Sequence, residues 1–125
     1  MINGAVLYDL AGAKEWARIQ FTKEDFPDKV PEEVISRFFD LILQDDMESC
    51  VTIRVSGISF CLARIDEKTL LLTYSFDEKI GVDDVDRTIE LRDHLADLLM
   101  AESPRDASKR WHSIAGKVLR KNIHI

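Results

Sequence analysis

The sequence predicts an α+β domain with the element order β-β-α-β-β-β-α-α, in which a five-stranded antiparallel sheet carries helices on both faces. Three observations support this class. Five short segments are rich in apolar and β-branched residues, three longer segments repeat apolar residues at helical spacing, and turn-forming residues separate them. The chain has 125 residues and shows no repeat or Gly/Ser linker, so we expect one domain over residues 1–125.

The first two strands form a predicted hairpin. Residues 5–10 are apolar on both faces at most positions, which is typical of a central strand covered on both sides. Residues 16–21 form the second strand, and the turn is expected near Gly12. If this second strand lies at the edge of the sheet, its unpaired backbone groups invite an added strand or a dimer. Trp16 is therefore a predicted partner-binding residue, with plain packing as the alternative.

The first helix is predicted for residues 31–44. Pro31 suits the first helical position, and Glu32 and Glu33 favour the positive end of a helix dipole. Apolar residues recur at helical spacing along this segment: Val34, Ile35, Phe38, Leu41 and Ile42.

The next three strands are predicted as a meander at residues 51–55, 58–65 and 70–76. Both faces of the middle strand contain residues that can pack, which suggests helices on both sides of the sheet. The small residues Cys61 and Ala63 on one of these faces would allow a helix to approach closely.

A two-residue turn at Ser56-Gly57 predicts the register of the first two meander strands and bears on the cysteines. It places Cys61 opposite Thr52, not opposite Cys50. Two cysteines are too few for a disulfide framework, and they have no metal-ligand spacing. We therefore expect Cys50 and Cys61 to be free, reduced thiols in the core, with a disulfide between them as the alternative.

Two helices complete the chain. The first is predicted for residues 82–100, and its apolar residues make one stripe, widened by three leucines: Val85, Ile89, Ala96 and Leu99, with Leu91, Leu95 and Leu98. The second begins at Ser103-Pro104, where serine can cap the helix and proline suits the first turn. It carries five apolar residues on one face: Ala107, Trp111, Ile114, Ala115 and Val118. Gly116 within it suggests a close contact with the sheet.

The formal charge of −6 is distributed unevenly. From residue 105 to the end, six Lys or Arg residues stand against one acidic residue, Asp106. Overall acidity argues against a nucleic-acid binder, since neutralising phosphates needs a broad positive surface. Four basic residues of the last helix are predicted to bind an acidic partner protein or an anionic membrane: Arg110, Lys117, Arg120 and Lys121. The alternative is a solvated helix face whose basic residues suit the helix dipole.

No constellation in the sequence points to catalysis. The three histidines, His94, His112 and His124, lack metal-ligand spacing, and the acidic stretches at residues 45–48 and 83–86 do not follow a calcium loop. Glycine-rich phosphate loops and nucleophile elbows are missing. We expect no catalytic residue, no metal and no cofactor, and a protein that is not an enzyme.

Neither a membrane span nor a secretory leader is evident in the sequence. No apolar run approaches the roughly 20 residues that cross a bilayer. The N-terminal residues lack a basic region followed by a long apolar one. We expect a cytoplasmic protein, and peripheral membrane contact through the basic last helix stays open.

The element order and three segments resemble the longin domain of the longin/roadblock superfamily. The segments are AVLYDLAG near the start, RIQF at the end of the second strand, and CVTIRVSGISFCLARIDEKTLLLTYSF after the first helix. The resemblance covers nearly the whole chain at the level of element order and pattern. It implies a longin/profilin-like fold and a non-catalytic interaction or scaffold domain, as in trafficking SNAREs, adaptor small subunits and transport-particle subunits.

By this resemblance, the expected partners are small GTPases, their regulators or vesicle-trafficking complexes. The resemblance also implies pairing, as a homodimer or as a heterodimer with a longin-type or roadblock-type subunit. Two alternative functions stay open. One is a small acidic secretion-type chaperone, which would begin with a helix. The other is a PAS-like or profilin-like ligand sensor, which needs a cavity that large residues on both sheet faces would fill.

Overall fold

The computed structural model describes residues 1–23, 26–44, 50–101 and 104–119. Its element order is the predicted one, and every bound that was predicted lies within two residues of the observed one. The elements are β1 (Gly4–Asp9), β2 (Lys14–Gln20), α1 (Glu32–Gln44), β3 (Val51–Val55), β4 (Ile58–Arg64), β5 (Thr69–Ser75), α2 (Val82–Ala101) and α3 (Pro104–Leu119). Ser103, the predicted cap of α3, lies outside the described residues. In the described ranges, no helix has the length and apolar character needed to cross a membrane.

The five strands form one antiparallel sheet in the order β2-β1-β5-β4-β3. β1 pairs with β5 along its whole length and so joins the N-terminal hairpin to the meander. β1 can hold this central place because its side chains are apolar on both faces. Val6 belongs to the core cluster on one face, and Ala5 and Leu7 belong to the cluster on the other.

α1 covers one face of the sheet on the β3 side, where Val34 and Phe38 are fully buried. The segment that precedes α1 contributes to the same core. Phe26 stacks on Tyr74 with 4.0 Å between ring centroids, and the guanidinium of Arg18 lies over the Phe26 ring. Arg18 also donates hydrogen bonds to two backbone carbonyls of this segment, which fixes it against β2.

α2 and α3 pack side by side on the opposite face. α2 contacts β4 and β5, and α3 contacts β2. Cys61 and Ala63 on β4 are fully buried, as expected for small residues that let a helix approach. Thr73 of β5 shares a buried hydrogen bond of 2.7 Å with Thr88 of α2. Helices therefore lie on both faces of the sheet, as the sequence predicts.

β2 contains a β-bulge that the sequence pattern did not predict. Leu7 pairs with Ala17 and Tyr8 pairs with Glu15, so Trp16 is an extra residue in the strand. Because of this extra residue, Trp16 and Ala17 both pack against the core cluster under α3. A bulge of this kind twists an edge strand and hinders its pairing with another chain.

The cysteines form a disulfide, which makes the prediction of free thiols wrong. The register is the predicted one, with Cys61 opposite Thr52. Cys50 is nevertheless bonded to Cys61 across a Cα–Cα distance of 6.3 Å. Cys50 lies two residues before Thr52 and therefore on the same face of the sheet, where it is a diagonal neighbour of Cys61. The prediction considered only the directly opposite residue.

The turn between β3 and β4 requires Gly57, whereas the surroundings of Gly116 do not require a glycine. Ser56 and Gly57 both have positive φ, 52° and 79°, as a type I′ turn between β3 and β4 requires. Gly116 lies inside α3, where a close contact with the sheet was expected. A Cβ at Gly116 would meet no atom within 4 Å, so that expectation is wrong.

Gly57→Ala should lower the free energy of unfolding by about 1–2 kcal/mol, because a residue with a Cβ is strained in the left-handed region. Crowding is not the cause, since a Cβ there meets no atom within 4 Å.

Gly116→Ala should raise the same free energy by about 1 kcal/mol, because alanine favours a helix over glycine. Urea unfolding measures both shifts. A loss of stability in Gly116→Ala would contradict the open space around that position.

Cys50→Ser should lower the free energy of unfolding by about 3 kcal/mol in oxidising buffer, because the disulfide restricts the unfolded chain. The two cysteines are 11 residues apart, so the closed loop is short. Cys50 is chosen because Cys61 is fully buried and a serine hydroxyl there would be desolvated. The control is wild type in reductant, which should unfold like the variant. Equal stability of the variant and the oxidised wild type would show that the bond does not form.

Candidate functional site

α2 has two apolar stripes, and one of them is packed into the core. Thr88, Leu91 and Leu95 are buried against the sheet and α3. The residues predicted as the main stripe are half-buried instead: Val85, Ile89, Ala96 and Leu99. At about 100° per residue, the two sets lie about 90° apart around the helix. The sequence pattern therefore identified the apolar residues of α2, but it did not show that Leu91 and Leu95 are the fully buried ones.

The half-buried side of α2, called the outer stripe here, has the spacing of a helix-packing seam. Its positions are Val82, Val85, Ile89, Arg92, Ala96 and Leu99. They follow at intervals of three and four residues, which are the intervals of a heptad seam. Val82 is 78% exposed at its start, and Met100 is 88% exposed beside its end. The one charged member, Arg92, forms an ion pair with Asp93 at 3.0 Å.

The outer stripe faces the β3 side of the molecule. α3 contacts β2 and lies on the other side of α2, where Arg87 Nη1 donates a hydrogen bond to the Leu119 carbonyl. α2 itself lies over β4 and β5. The side of α2 that points away from α3 therefore points toward β3, the last strand of the sheet.

The helical layer leaves β3 uncovered. Ile53 and Val55 belong to the core cluster under α1, so the alternating residues Thr52 and Arg54 point to the α2 face. Both are exposed. The outer stripe together with Thr52 and Arg54 is called the α2–β3 ledge. A cavity of about 340 Å³ lies at the end of the ledge where Ile80 precedes α2.

Arg54 is held in a defined position on the ledge. Its Nη1 donates to Ser59 Oγ at 2.8 Å and to the carbonyls of Asp77 and Glu78 at 3.1 and 2.9 Å. The backbone carbonyl of Arg54 points to the open edge of β3, where Arg37 of α1 donates to it at 3.1 Å. Arg37 thus occupies an acceptor that an added β-strand would need. The ledge offers side chains to a partner rather than a free strand edge.

Acidic residues border the outer stripe on its solvent side. α2 has six acidic and two basic side chains. Asp86, Asp93 and Asp97 are exposed and lie beside the stripe on the helix surface; they are called the acidic ridge. Asp93 pairs with Arg92, whereas Asp86 and Asp97 have no ion-pair partner among the described residues. The solvent side of the stripe therefore carries two carboxylates without an ion-pair partner in the described part of the chain, whereas the sheet side of the ledge carries the positive charge of Arg54.

The site residues predicted from the sequence lie elsewhere. Arg110 and Lys117 are exposed on one side of α3, seven residues apart. Arg120 and Lys121 lie outside the described residues. Trp16 is half-buried against the core cluster under α3, which gives it a packing role. Partner binding by these residues stays a prediction.

The ledge was not predicted from the sequence, although part of its signal was present. The apolar residues of α2 cover more of the helix circumference than one packed face can bury, so part of the apolar surface lies outside the core. The sequence did not indicate that Thr52 and Arg54 are part of the ledge. Alternation of apolar and polar residues in a strand does not show which face of the strand the helices leave uncovered.

A second concave surface, called the α1 cleft, opens on the α1 face beside the β1–β2 turn. Its volume is about 620 Å³, and Tyr8, Ile35 and Phe39 are among the residues that line it. Phe39 is 42% exposed. Burial raises the pKa of Tyr8, and neighbouring carboxylates, Glu15 foremost, raise it further. The cleft therefore combines exposed aromatic surface with charged side chains of both signs, since Lys14 and Lys29 line it beside its carboxylates.

In the part of the chain that the structure describes, no group of three or more His, Cys, Asp or Glu side chains is placed to hold a metal ion. His94 and His112 are exposed on separate helices. No protein-family model and no curated protein matches the chain. Its function is therefore inferred from the geometry and charge of its surfaces.

Tyr74 should make stability sensitive to alkaline pH. Burial raises the pKa of Tyr74, and its hydroxyl has no hydrogen-bond partner among the described residues. In the unfolded chain a tyrosine ionises near pH 10. The contribution of Tyr74 to stability is therefore complete below about pH 10 and is lost as the pH rises through the higher pKa of the folded state.

Tyr74→Phe should lose less stability than wild type between about pH 9 and about pH 11. Near pH 7 it should be as stable as wild type or up to about 1 kcal/mol more stable, because a buried hydroxyl without a partner is removed. Urea unfolding across this pH range is the measurement. A variant that is less stable near pH 7 would show that the hydroxyl has a partner in solution.

Proposed function

We propose that this chain is a non-catalytic protein-interaction domain and that the α2–β3 ledge is its docking surface. The observation that carries the proposal is the outer stripe of α2, whose apolar residues have helix-packing spacing and keep part of their surface exposed. Exposed apolar surface of this kind, bordered by charged residues, is typical of protein–protein contact sites.

The energy available at the ledge suits a specific contact. Fully burying a Val, Leu or Ile side chain contributes about 1.5–3 kcal/mol. Val85, Ile89 and Leu99 keep roughly a third of their surface or less exposed, so covering each of them contributes at most about 0.5–1 kcal/mol. The fixed position of Arg54 lowers the cost of ordering the surface when a partner binds.

The longin resemblance supplies the class of partner in this proposal. The element order β-β-α-β-β-β-α-α and the five-stranded antiparallel sheet support it. The partners would be small GTPases, their regulators or trafficking-type complexes, and the domain would pair with itself or with a longin-type or roadblock-type subunit in the cytoplasm. Any effect on nucleotide exchange would be exerted through the bound GTPase, by shape and charge complementarity.

A ligand sensor is the second candidate, and the α1 cleft is the observation that favours it. A volume of about 620 Å³ lies within the usual range of small-molecule pockets. Thermal stabilisation by a metabolite, lost in Phe39→Gln, would support this candidate. The secretion-type chaperone gains no comparable support, because residues 4–20 form the β1–β2 hairpin, where that hypothesis expects a helix.

Replacing Val85 and Ile89 together by glutamine should abolish partner capture without unfolding the protein. Glutamine keeps a high helix propensity, and both side chains lie outside the two core clusters. Tagged wild type and variant are compared by affinity capture from native lysate with quantitative mass spectrometry. We expect the recovered partner to fall by roughly tenfold or more, since about 1.4 kcal/mol corresponds to tenfold in affinity.

Phe39→Gln is the matched control, because Phe39 is an exposed apolar residue on the opposite face of the sheet. It should leave capture unchanged. Equal capture by wild type and by the Val85→Gln, Ile89→Gln variant would refute the ledge as the docking surface. A third variant, Arg110→Glu with Lys117→Glu, tests the basic face of α3 in the same experiment.

A further inference from the structure

Building on the proposed function, we infer that the α2–β3 ledge takes a basic amphipathic helix of a partner protein. The inference names the chemistry of the partner segment: an apolar seam that packs on the outer stripe, with Lys or Arg residues beside it. It rests on the shape of the ledge, on the protection of the strand edge and on the charge of α2.

A helix fits the shape of the ledge. The outer stripe repeats at intervals of three and four residues, which match the seam of a second helix. Packed helices lie about 8–10 Å apart, and neighbouring strands lie about 4.8 Å apart. A helix beside α2, which lies over β4 and β5, would therefore sit over β3. There it would cover Thr52 and Arg54 and complete the helical layer.

A β-strand is a poorer occupant of this side of the molecule. β3 has only five residues, and Arg37 already donates to the edge carbonyl of Arg54. The exposed apolar surface lies on α2 and not along the strand edge. A partner that added a strand to β3 would leave the outer stripe uncovered.

The acidic ridge determines the charge of the partner helix. Asp86 and Asp97 project beside the outer stripe without an ion-pair partner in the described part of the chain. A helix packed on the stripe brings its flanking residues next to these carboxylates. Lys or Arg on the flank that faces the ridge would be attracted, whereas Glu or Asp there would be repelled. The opposite flank faces Thr52 and the positive charge of Arg54, so uncharged polar residues suit it.

A second copy of this chain does not meet these requirements. In an antiparallel pair of α2 helices, Val82 would face Leu99 of the second copy and Val85 would face Ala96. Asp86 would then lie close to Asp93 of the second copy, so the two acidic ridges would repel each other. The basic helix α3 cannot serve either, since its apolar residues Trp111 and Ala115 are buried in its own core.

The test uses three designed helical peptides about three heptads long with the same leucine seam. The positions on the flank that faces the acidic ridge carry Lys, Gln or Glu, and those on the opposite flank carry Gln in all three peptides. Binding to the full-length protein is measured by fluorescence anisotropy at low and at high salt. We expect the Lys peptide to bind roughly tenfold more tightly than the Gln peptide and the Glu peptide to bind most weakly. The differences should shrink to about twofold in about 1 M salt.

Charge reversal of the ridge should reverse the ranking. The variant Asp86→Lys, Asp93→Lys, Asp97→Lys should prefer the Glu peptide. Its matched control is Asp28→Lys, Asp40→Lys, Glu67→Lys, which changes the net charge equally at exposed positions away from the ledge. That control should keep the preference for the Lys peptide. Circular dichroism checks that each variant is folded.

The outcomes separate this inference from the proposed function. If all three peptides bind equally and the Val85→Gln, Ile89→Gln variant binds none, the ledge docks helices but the basic partner is refuted. If no peptide binds, the inference is refuted, and the capture experiment alone decides on the docking surface. A doubled mass in light scattering that the same variant abolishes would assign the ledge to a second copy and also refute the inference.

Discussion

The pairing of β1 with β5 is the interaction on which the rest of the structure depends. These two central strands come from opposite parts of the chain, and every other strand attaches to one of them directly or through β4. Their backbone ladder is buried on both faces, because Val6 enters the α1-side core while Ala5 and Leu7 enter the other. A residue on β1 with a charge on either face would leave that charge desolvated without a partner.

The central pairing also determines where the helices can lie. With β1 and β5 in the middle, α3 packs toward β2 and α2 packs over β5 and β4. Two helices do not reach across all five strands on this face, so β3 keeps Thr52 and Arg54 exposed. The outer stripe of α2 borders this uncovered strand. The candidate docking surface thus exists because five strands are wider than the two packed helices that cover them.

Both edge strands of the sheet, β2 and β3, have features that hinder the addition of another strand. On β2 the bulge at Trp16 interrupts the ladder and turns the indole into the core under α3. On β3 the Arg37 guanidinium binds the outward carbonyl of Arg54. These features reduce uncontrolled edge-to-edge association. They leave the exposed apolar side chains of α2 as the more accessible contact surface.

Local patterns in the sequence were sufficient to predict the elements and the register of β3 with β4, because periodicity, helix-start residues and the Ser56-Gly57 turn act over a few residues. Tertiary structure decided which apolar stripe of α2 is buried, since Leu91 and Ile89 are equally apolar and only the positions of α3 and the sheet distinguish them. Tertiary structure also decided that Cys50 bonds to Cys61, because the bond requires these diagonal neighbours on adjacent strands to lie close together. Local patterns do not specify the distances between elements. Those distances decide which side chains are buried in the core and which remain exposed on the ledge.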